Sequence, residues 1–286
     1  MNDLSQIAYV NGSFVPHEEA RISIFDRGFL LADAIYEVSA VIGGKLIDND
    51  LHLARLQRSV DSIALALPVT LERVQEIQAE LIRLNALKEG GVYLQVTRGI
   101  AERDFPFPAG AEPSLVMFTQ HKNLLQSKTG INGLTVKTVP DLRWARRDIK
   151  SVGLLAQVLA KQMAVDAGCQ EAWMVEDGFI TEGASSTAYI VTTARTIVTR
   201  PSSQATLAGC TWQALKELIR EENLQLELRR FSIVEAGQAA EAFLTSASSL
   251  VTPIITIDGK PVGSGVPGPL TKRLRELYIA RALAAA

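Results

Sequence analysis

Cysteine is scarce: Cys169 and Cys210 are the two in 286 residues. Two cysteines cannot form a disulfide framework, and these show no metal-ligand spacing. The chain therefore suits a reducing compartment, and a cytoplasmic location is expected. Net charge is also small, with 29 basic against 31 acidic residues leaving −2. That balance gives no electrostatic footprint for nucleic acid or for an anionic membrane surface. Long apolar runs are missing. Even LLADAIYEVSAVI is interrupted by Asp33 and Glu37, well short of the roughly 20 apolar residues that a membrane-spanning helix needs. The opening MNDLSQIAYV lacks a basic region followed by an apolar core, so no secretory leader is expected. Internal repeats and low-complexity tracts are absent, apart from an alanine-rich end. What is present is ordinary for a soluble globular protein, 47% hydrophobic and 21% charged, at a length that favours two domains over one core.

The hydrophobic pattern divides the chain in two. Residues 7–16 read as a hairpin turning at Asn11-Gly12. A strand-like stretch from Ala34 to Val41 turns at Gly43-Gly44. A helix over 49–67, capped by Asn49 or Asp50, places His52 and Arg55 three apart on one face. A second helix covers roughly 70–87, with Leu71, Val74, Ile77, Leu81 and Ile82 on its stripe. Strands near 91–98 and 113–120 flank a long loop, GIAERDFPFPAGAE, of a length that is often functional. The polar run 121–133 has no periodicity. Residues 1–121 are therefore expected as a small α/β domain, 122–133 as a linker and 134–286 as a larger, strand-rich domain. The second part opens with a strand at 134–140 and continues through DLRWARRDIKS to Leu154, Leu155, Val158 and Leu159, which recur at the spacing of an amphipathic helix. EAWMVE and GFITEGASSTAYIVT read as strands joined at Asp177-Gly178. Helices follow at about 208–222 and 268–284. The order lacks βαβ regularity, so the fold class is α+β.

Lys150 stands out because it falls between a strand and a helix, where a lysine is rigid and partly withdrawn from water. Burial disfavours an ammonium, and a neutral amine is the species that attacks an aldehyde such as pyridoxal phosphate. A solvated surface lysine is the plain alternative. A pyridoxal enzyme also needs a phosphate cradle. Ala208-Gly209-Cys210-Thr211 opens a helix, whose free N–H groups and Thr211 hydroxyl suit a dianion. Thr245-Ser246-Ala247-Ser248 is a second small hydroxyl turn, and Arg55 carries a full charge. Each has an ordinary alternative: a cap, a polar turn, a solvated arginine. Glu182, at a strand end among small residues, is either a carboxylate for a pyridine nitrogen or a simple turn glutamate.

Seven blocks occur in order: FDRGFLLADAIYEV, HLARLQRS, YLQVTRG, RWARRDIKS with LLAQVLAKQ, ITEGASS, LAGCT and LTSASSLVTPI. Together they resemble the fold-type IV pyridoxal-phosphate-dependent transaminases, most closely the D-amino acid aminotransferases, over nearly the whole chain. The resemblance implies a two-domain fold and Lys150 as the Schiff-base lysine. It implies that Glu182 binds the pyridine nitrogen, with Ser185 beside it in the same block, and that Arg143 supports from behind. Arg55 would bind phosphate with His52 as its neighbour. Leu207 would pack on the ring, and Gly209, Cys210, Thr211 and Ser246 would meet the phosphate. Ala247 stands where the family has threonine, which removes a contact.

On the substrate side the resemblance implies Tyr36 and Arg103 as ligands of the α-carboxylate. Phe105 replaces a histidine and can donate no hydrogen bond. Ala40 stands where close relatives carry lysine. Arg103 can still clamp a carboxylate in bidentate fashion, or it is a solvated loop arginine. The implied reaction is ping-pong transfer of an amino group from a D-amino acid to an α-keto acid, either 2-oxoglutarate or pyruvate. The family also implies a homodimer whose carboxylate loop serves the partner's site. Branched-chain L-amino acid transaminases, (R)-amine transaminases and aminodeoxychorismate lyases share the cofactor machinery and remain as alternatives. Val38, where branched-chain enzymes have glycine, argues against the first. A binding or scaffold protein lacking the cofactor is disfavoured by the joint presence of Lys150, Glu182 and Arg55.

Overall fold

The computed structural model describes residues 6–285. The chain forms two compact units. The first takes in the chain up to Lys122 together with Ile149–Gly153; the second comprises Asn123–Asp148 and Leu154–Ala285. Nearly all of the segment expected as a linker thus belongs to the second unit, where it carries a short helix. The lysine segment belongs to the first.

The first unit opens with the hairpin β1 (Ile7–Val10) and β2 (Ser13–Pro16). Asn11 and Gly12 both take positive φ there, the geometry that a two-residue hairpin turn demands. Helix α1 (Arg27–Leu31) is capped by Asp26, whose Oδ1 accepts the Gly28 N–H at 2.8 Å. Then come β3 (Ala34–Ile42), β4 (Lys45–Leu46), α2 (Asn49–Ser62), α3 (Leu71–Leu84), β5 (Glu89–Thr97) and β6 (Ser114–His121). The six strands form an antiparallel sheet in the order β2-β1-β6-β5-β3-β4.

Leu53, Leu56 and Val60 of α2 and Val74, Ile77 and Leu81 of α3 pack with Ile35, Leu94, Val96 and Leu115 of the sheet. Each such fully buried side chain contributes about 1.5–3 kcal/mol. Helix α2 stops five residues before its expected end, and Ala64 just beyond takes φ of 48°. Its cap is Asp48, not Asn49 or Asp50. Asn49 turns inward instead, accepting from Ser39 at 2.8 Å and donating to Gln78 at 2.9 Å.

The second unit contains α4 (Lys128–Asn132), β7 (Leu134–Pro140), α5 (Leu155–Asp166), β8 (Glu171–Glu176), β9 (Phe179–Gly183), β10 (Thr187–Val191), β11 (Ile197–Thr199), α6 (Cys210–Glu221), β12 (Leu226–Leu228), α7 (Ile233–Gly237), β13 (Glu241–Ser246), β14 (Leu250–Ile257), β15 (Lys260–Pro261) and α8 (Pro269–Ala285). Its nine-stranded sheet runs β12-β11-β10-β13-β14-β7-β8-β9, with β15 on β14. Pairings with β7 on both sides are parallel and most others are antiparallel. The core holds Trp173, Ile180, Ile190, Phe231, Leu244 and Ile254. The stretch expected as one strand from Phe179 onward breaks into β9 and β10, because the Gly183 N–H turns back to the Ser186 carbonyl at 2.7 Å.

The amphipathic expectation for α5 fails. Leu155, Val158 and Leu159 are 71%, 59% and 53% exposed, and the helix buries Ala160 and Ala164 against Val139, Ala172 and Met174. Small side chains let the helix lie close on the sheet, so the bulky ones turn outward. Among the described residues no helix is long and apolar enough to cross a membrane.

Candidate active site

Lys150 does not sit at a strand-to-helix junction. It lies in an irregular segment stitched to the first half of β3. The Tyr36 N–H donates to the Lys150 carbonyl at 3.0 Å, the Val152 N–H donates to the Ala34 carbonyl at 3.1 Å, and Ser151 bridges to Ile35. Ile149, buried in the α2–α3 core, anchors the segment from one side. The Lys150 Nζ stands 4.2 Å from the centroid of the Tyr36 ring, close enough for a cation–π contact. Tyr36 stacks on Tyr93 and Tyr93 on Phe118, forming an aromatic shelf on the sheet face opposite the helices.

Alternation along β3 turns Glu37 to the buried face, where the i, i+3 pair of α2 meets it. Arg55 gives Nε and one Nη to its two oxygens at 2.7 and 2.8 Å, and His52 Nδ1 lies 2.8 Å away. Burial alone would raise the Glu37 carboxyl, but Arg55 and His52 outweigh it and hold the carboxyl well below its usual range. Burial lowers His52, and Glu37 only partly offsets that. Arg55, expected at the phosphate, is thus also the counter-ion of Glu37. Sequence reasoning missed Glu37. The available signal was a carboxylate in phase with Ile35, Ser39 and Val41 on the buried face of a strand.

A second charged cluster fixes the long loop between β5 and β6. Asp33 Oδ2 accepts from Arg27 Nε at 2.9 Å and from Arg98 Nε at 2.7 Å. Arg27 then donates to the carbonyls of Asp104 and Phe105, and the Arg98 guanidinium stacks 3.6 Å from the Phe107 ring. Arg103 and Phe105 sit exposed on this pinned loop, and Ala40 is buried on β3.

In the second unit, Glu182 is buried on β9. It accepts from Arg143 Nη1, and each of its oxygens lies 3.2 Å from the Leu207 N–H. Burial pushes its carboxyl up, with Arg143 and the Leu207 N–H opposing. Arg143 in turn grips Asp141 through Nε and Nη2 at 2.9 and 2.7 Å. Gly209 is the N-cap of helix α6 and offers no side-chain cap, and Cys210 and Thr211 lie buried in the first turn. A Cβ on Gly209 would meet Thr187 Oγ1 at 2.8 Å, so the Thr187 side chain would have to shift to admit one. Ser246 ends β13 and Ala247 begins the turn to β14, where Ser246 Oγ is 3.4 Å from Ser248 Oγ. Ser185 is exposed, while the neighbouring Ser186 Oγ is buried without a hydrogen-bond partner.

These residues fit pyridoxal phosphate. The α6 N-terminus and its Thr211 hydroxyl suit a dianion, and a buried carboxylate oriented by Arg143 and the Leu207 N–H suits a protonated pyridine nitrogen. Within the first unit the structure gathers Lys150, Tyr36, His52 and Arg55; within the second it gathers Glu182, Arg143 and Leu207.

Residues 34–257 match the amino-transferase class IV family. A D-alanine aminotransferase of Staphylococcus aureus (strain COL) is 37% identical over 271 residues, spanning 94% of this chain and 95% of that protein. A D-alanine aminotransferase of Bacillus licheniformis is 37% identical over 265 residues, 93% of each. The fold is shared with the branched-chain amino acid aminotransferase of Escherichia coli, at a TM-score of 0.91 and 21% identity, covering 97% of this chain and 95% of that one. The chain belongs to the class IV aminotransferases, with the fold-type IV architecture.

Proposed function

We propose that this enzyme is a pyridoxal-phosphate-dependent D-amino acid transaminase that passes the amino group to an α-keto acid by a ping-pong route. The whole-length likeness to D-alanine aminotransferases supports the donor class. The observation that carries the chemistry is Glu182, a buried carboxyl whose proton affinity is raised while Arg143 and the Leu207 N–H fix its orientation. Pyridoxal phosphate, when bound, supplies the aldehyde carbon that takes the amino group and the ring that withdraws electrons from the substrate Cα.

Lys150 would hold the cofactor through that aldehyde carbon, and its Nζ would serve as the base and acid that moves the substrate's Cα proton. Glu182 holds a proton on the ring nitrogen, with Ser185 near it in sequence. The first-turn N–H groups of α6, Thr211, Ser246 and Arg55 hold the phosphate, and Leu207 packs on the ring. Tyr36 and Arg103 hold the substrate carboxylate, with Phe105 adding an apolar surface and no donor. The enzyme works as a homodimer. The exposed Leu155, Val158 and Leu159 on α5 support a covered face in the assembly, and sedimentation tests it.

Mixing D-alanine with the cofactor-loaded enzyme is expected to release no more than one equivalent of pyruvate per active site until 2-oxoglutarate is added, and continuous pyruvate thereafter. Sustained pyruvate formation without an acceptor would overturn transamination. A second reading, (R)-amine transfer, rests on Phe105, which removes a donor for a carboxylate. Turnover of (R)-1-phenylethylamine in the same assay tests it.

A further inference from the structure

Behind Glu182 the second unit holds a ladder of alternating charges. Glu176 takes both Nη atoms of Arg147, at 2.7 and 3.1 Å. Arg147 Nη1 lies 3.4 Å from Asp141 Oδ2. The Asp141 side chain is fully buried, at 0% exposure, and grips Arg143 with both oxygens. Arg143 passes its remaining nitrogen to Glu182. Asp141 Oδ2 also accepts the hydroxyl of Thr181, the residue before Glu182, at 2.6 Å. The backbone N–H of Arg147 donates to the Gln204 carbonyl at 2.9 Å, three residues before the Leu207 N–H that meets Glu182. Arg147 therefore reaches the surroundings of Glu182 by two routes without touching it.

Arg143 is shared between two carboxylates, so what satisfies one leaves more of it for the other. A positive charge on the far side of Asp141 weakens the hold of Asp141 on Arg143. We propose that Arg147 is a positioning residue: by partly neutralising Asp141 it lets Arg143 lean on Glu182, and so sets how strongly Glu182 grips the cofactor ring nitrogen. This inference rests on the proposed role of Glu182. Arg200 adds a further positive charge within electrostatic reach of Glu176, Arg147 and Asp141 and is left in place by the test.

The ladder gives the two ends of the Arg147 link opposite signs. Arg147→Gln strengthens the claim of Asp141 on Arg143 and leaves Glu182 less neutralised. Glu176→Gln releases Arg147 toward Asp141, frees Arg143 for Glu182 and leaves Glu182 more neutralised. Each protein is loaded with pyridoxal phosphate carrying 15N in the ring, and the ring-nitrogen NMR signal is recorded at one pH. The signals of Arg147→Gln and Glu176→Gln should move to opposite sides of the unsubstituted protein, each by more than the line width. Arg147→Lys should lie close to the unsubstituted protein.

Signals of the two glutamine variants that coincide with the unsubstituted enzyme, or that move to the same side of it, would overturn the inference and leave the role of Glu182 standing. An unsubstituted protein that binds no pyridoxal phosphate would overturn both. Should Arg147→Gln fail to fold, Glu176→Gln still decides, because Glu176 is 38% exposed at its side chain and its substitution keeps the shape. An unmoved signal there would overturn the inference.

Discussion

Arg55 presents its guanidinium fork to Glu37 at 2.7 and 2.8 Å, with both side chains no more than 5% exposed. A residue expected to serve the phosphate is thus built into the fold as well. The desolvation of the two charges is balanced only while both are present.

Glu37→Ala leaves Arg55 buried without this carboxylate and should cost about 3–5 kcal/mol, the penalty for breaking a buried pair from one side. Chemical denaturation of both proteins measures it. A variant as stable as the parent would show that the pair is not a structural element.

The same cluster makes stability pH-dependent. His52 is lowered in the fold from its ordinary 6.5. Its contribution is fully present above pH 6.5 and is lost as pH falls through the lowered value, because the unfolded chain takes up the proton first. Glu37 is depressed below its ordinary 4.5, so its contribution is present above pH 4.5 and is lost at lower pH. Thermal melts from pH 8 downward should decline in two stages, below about 6.5 and again below about 4.5, each proton adding at most about 1.4 kcal/mol per pH unit. His52→Gln should remove the first stage; an unchanged first stage would assign it elsewhere.

Gly99 opens the pinned loop with φ of +91°, and a Cβ there would lie 1.9 Å from the Glu112 carbonyl oxygen. Gly99→Ala must shift backbone and should cost about 1–3 kcal/mol, while raising KM for the amino donor. Gly178→Ala is the control, since its φ of +79° is strained but nothing lies within 4 Å; it should lower Tm less and leave KM alone. Equal effects would remove the loop from substrate binding.

Arg103→Ala should raise KM for a D-amino acid by about 10–100-fold, as expected for loss of a charged hydrogen bond of about 1.5–3 kcal/mol, with the cofactor absorbance retained. Phe105→His restores a donor and should lower KM. Unchanged KM in both would take the carboxylate away from this loop.

Much of this was legible in the residues. The Asn11-Gly12 hairpin, the strand Leu134–Pro140 and the strand Ala34–Ile42 follow from turn chemistry and alternation. Helix α5 was misread because Leu155, Val158 and Leu159 have helical spacing, yet spacing alone does not say which face meets the sheet. The surroundings of Lys150 were hidden because β3, far earlier in the chain, holds its backbone, and long-range pairing leaves no local signal. Glu37 and Asp141 were passed over since a carboxylate reads as surface until its arginines are found beside it.

The most direct measurement is a half-reaction. Purified enzyme carrying pyridoxal phosphate is mixed in separate cuvettes with D-alanine, L-leucine and (R)-1-phenylethylamine, and the yellow band is followed as it decays to the aminated cofactor. Fast decay with D-alanine, none with the other two, and no decay in Lys150→Ala would support D-amino acid transamination. Decay chiefly with L-leucine or the amine would contradict it and would place the specificity in the Phe105 loop.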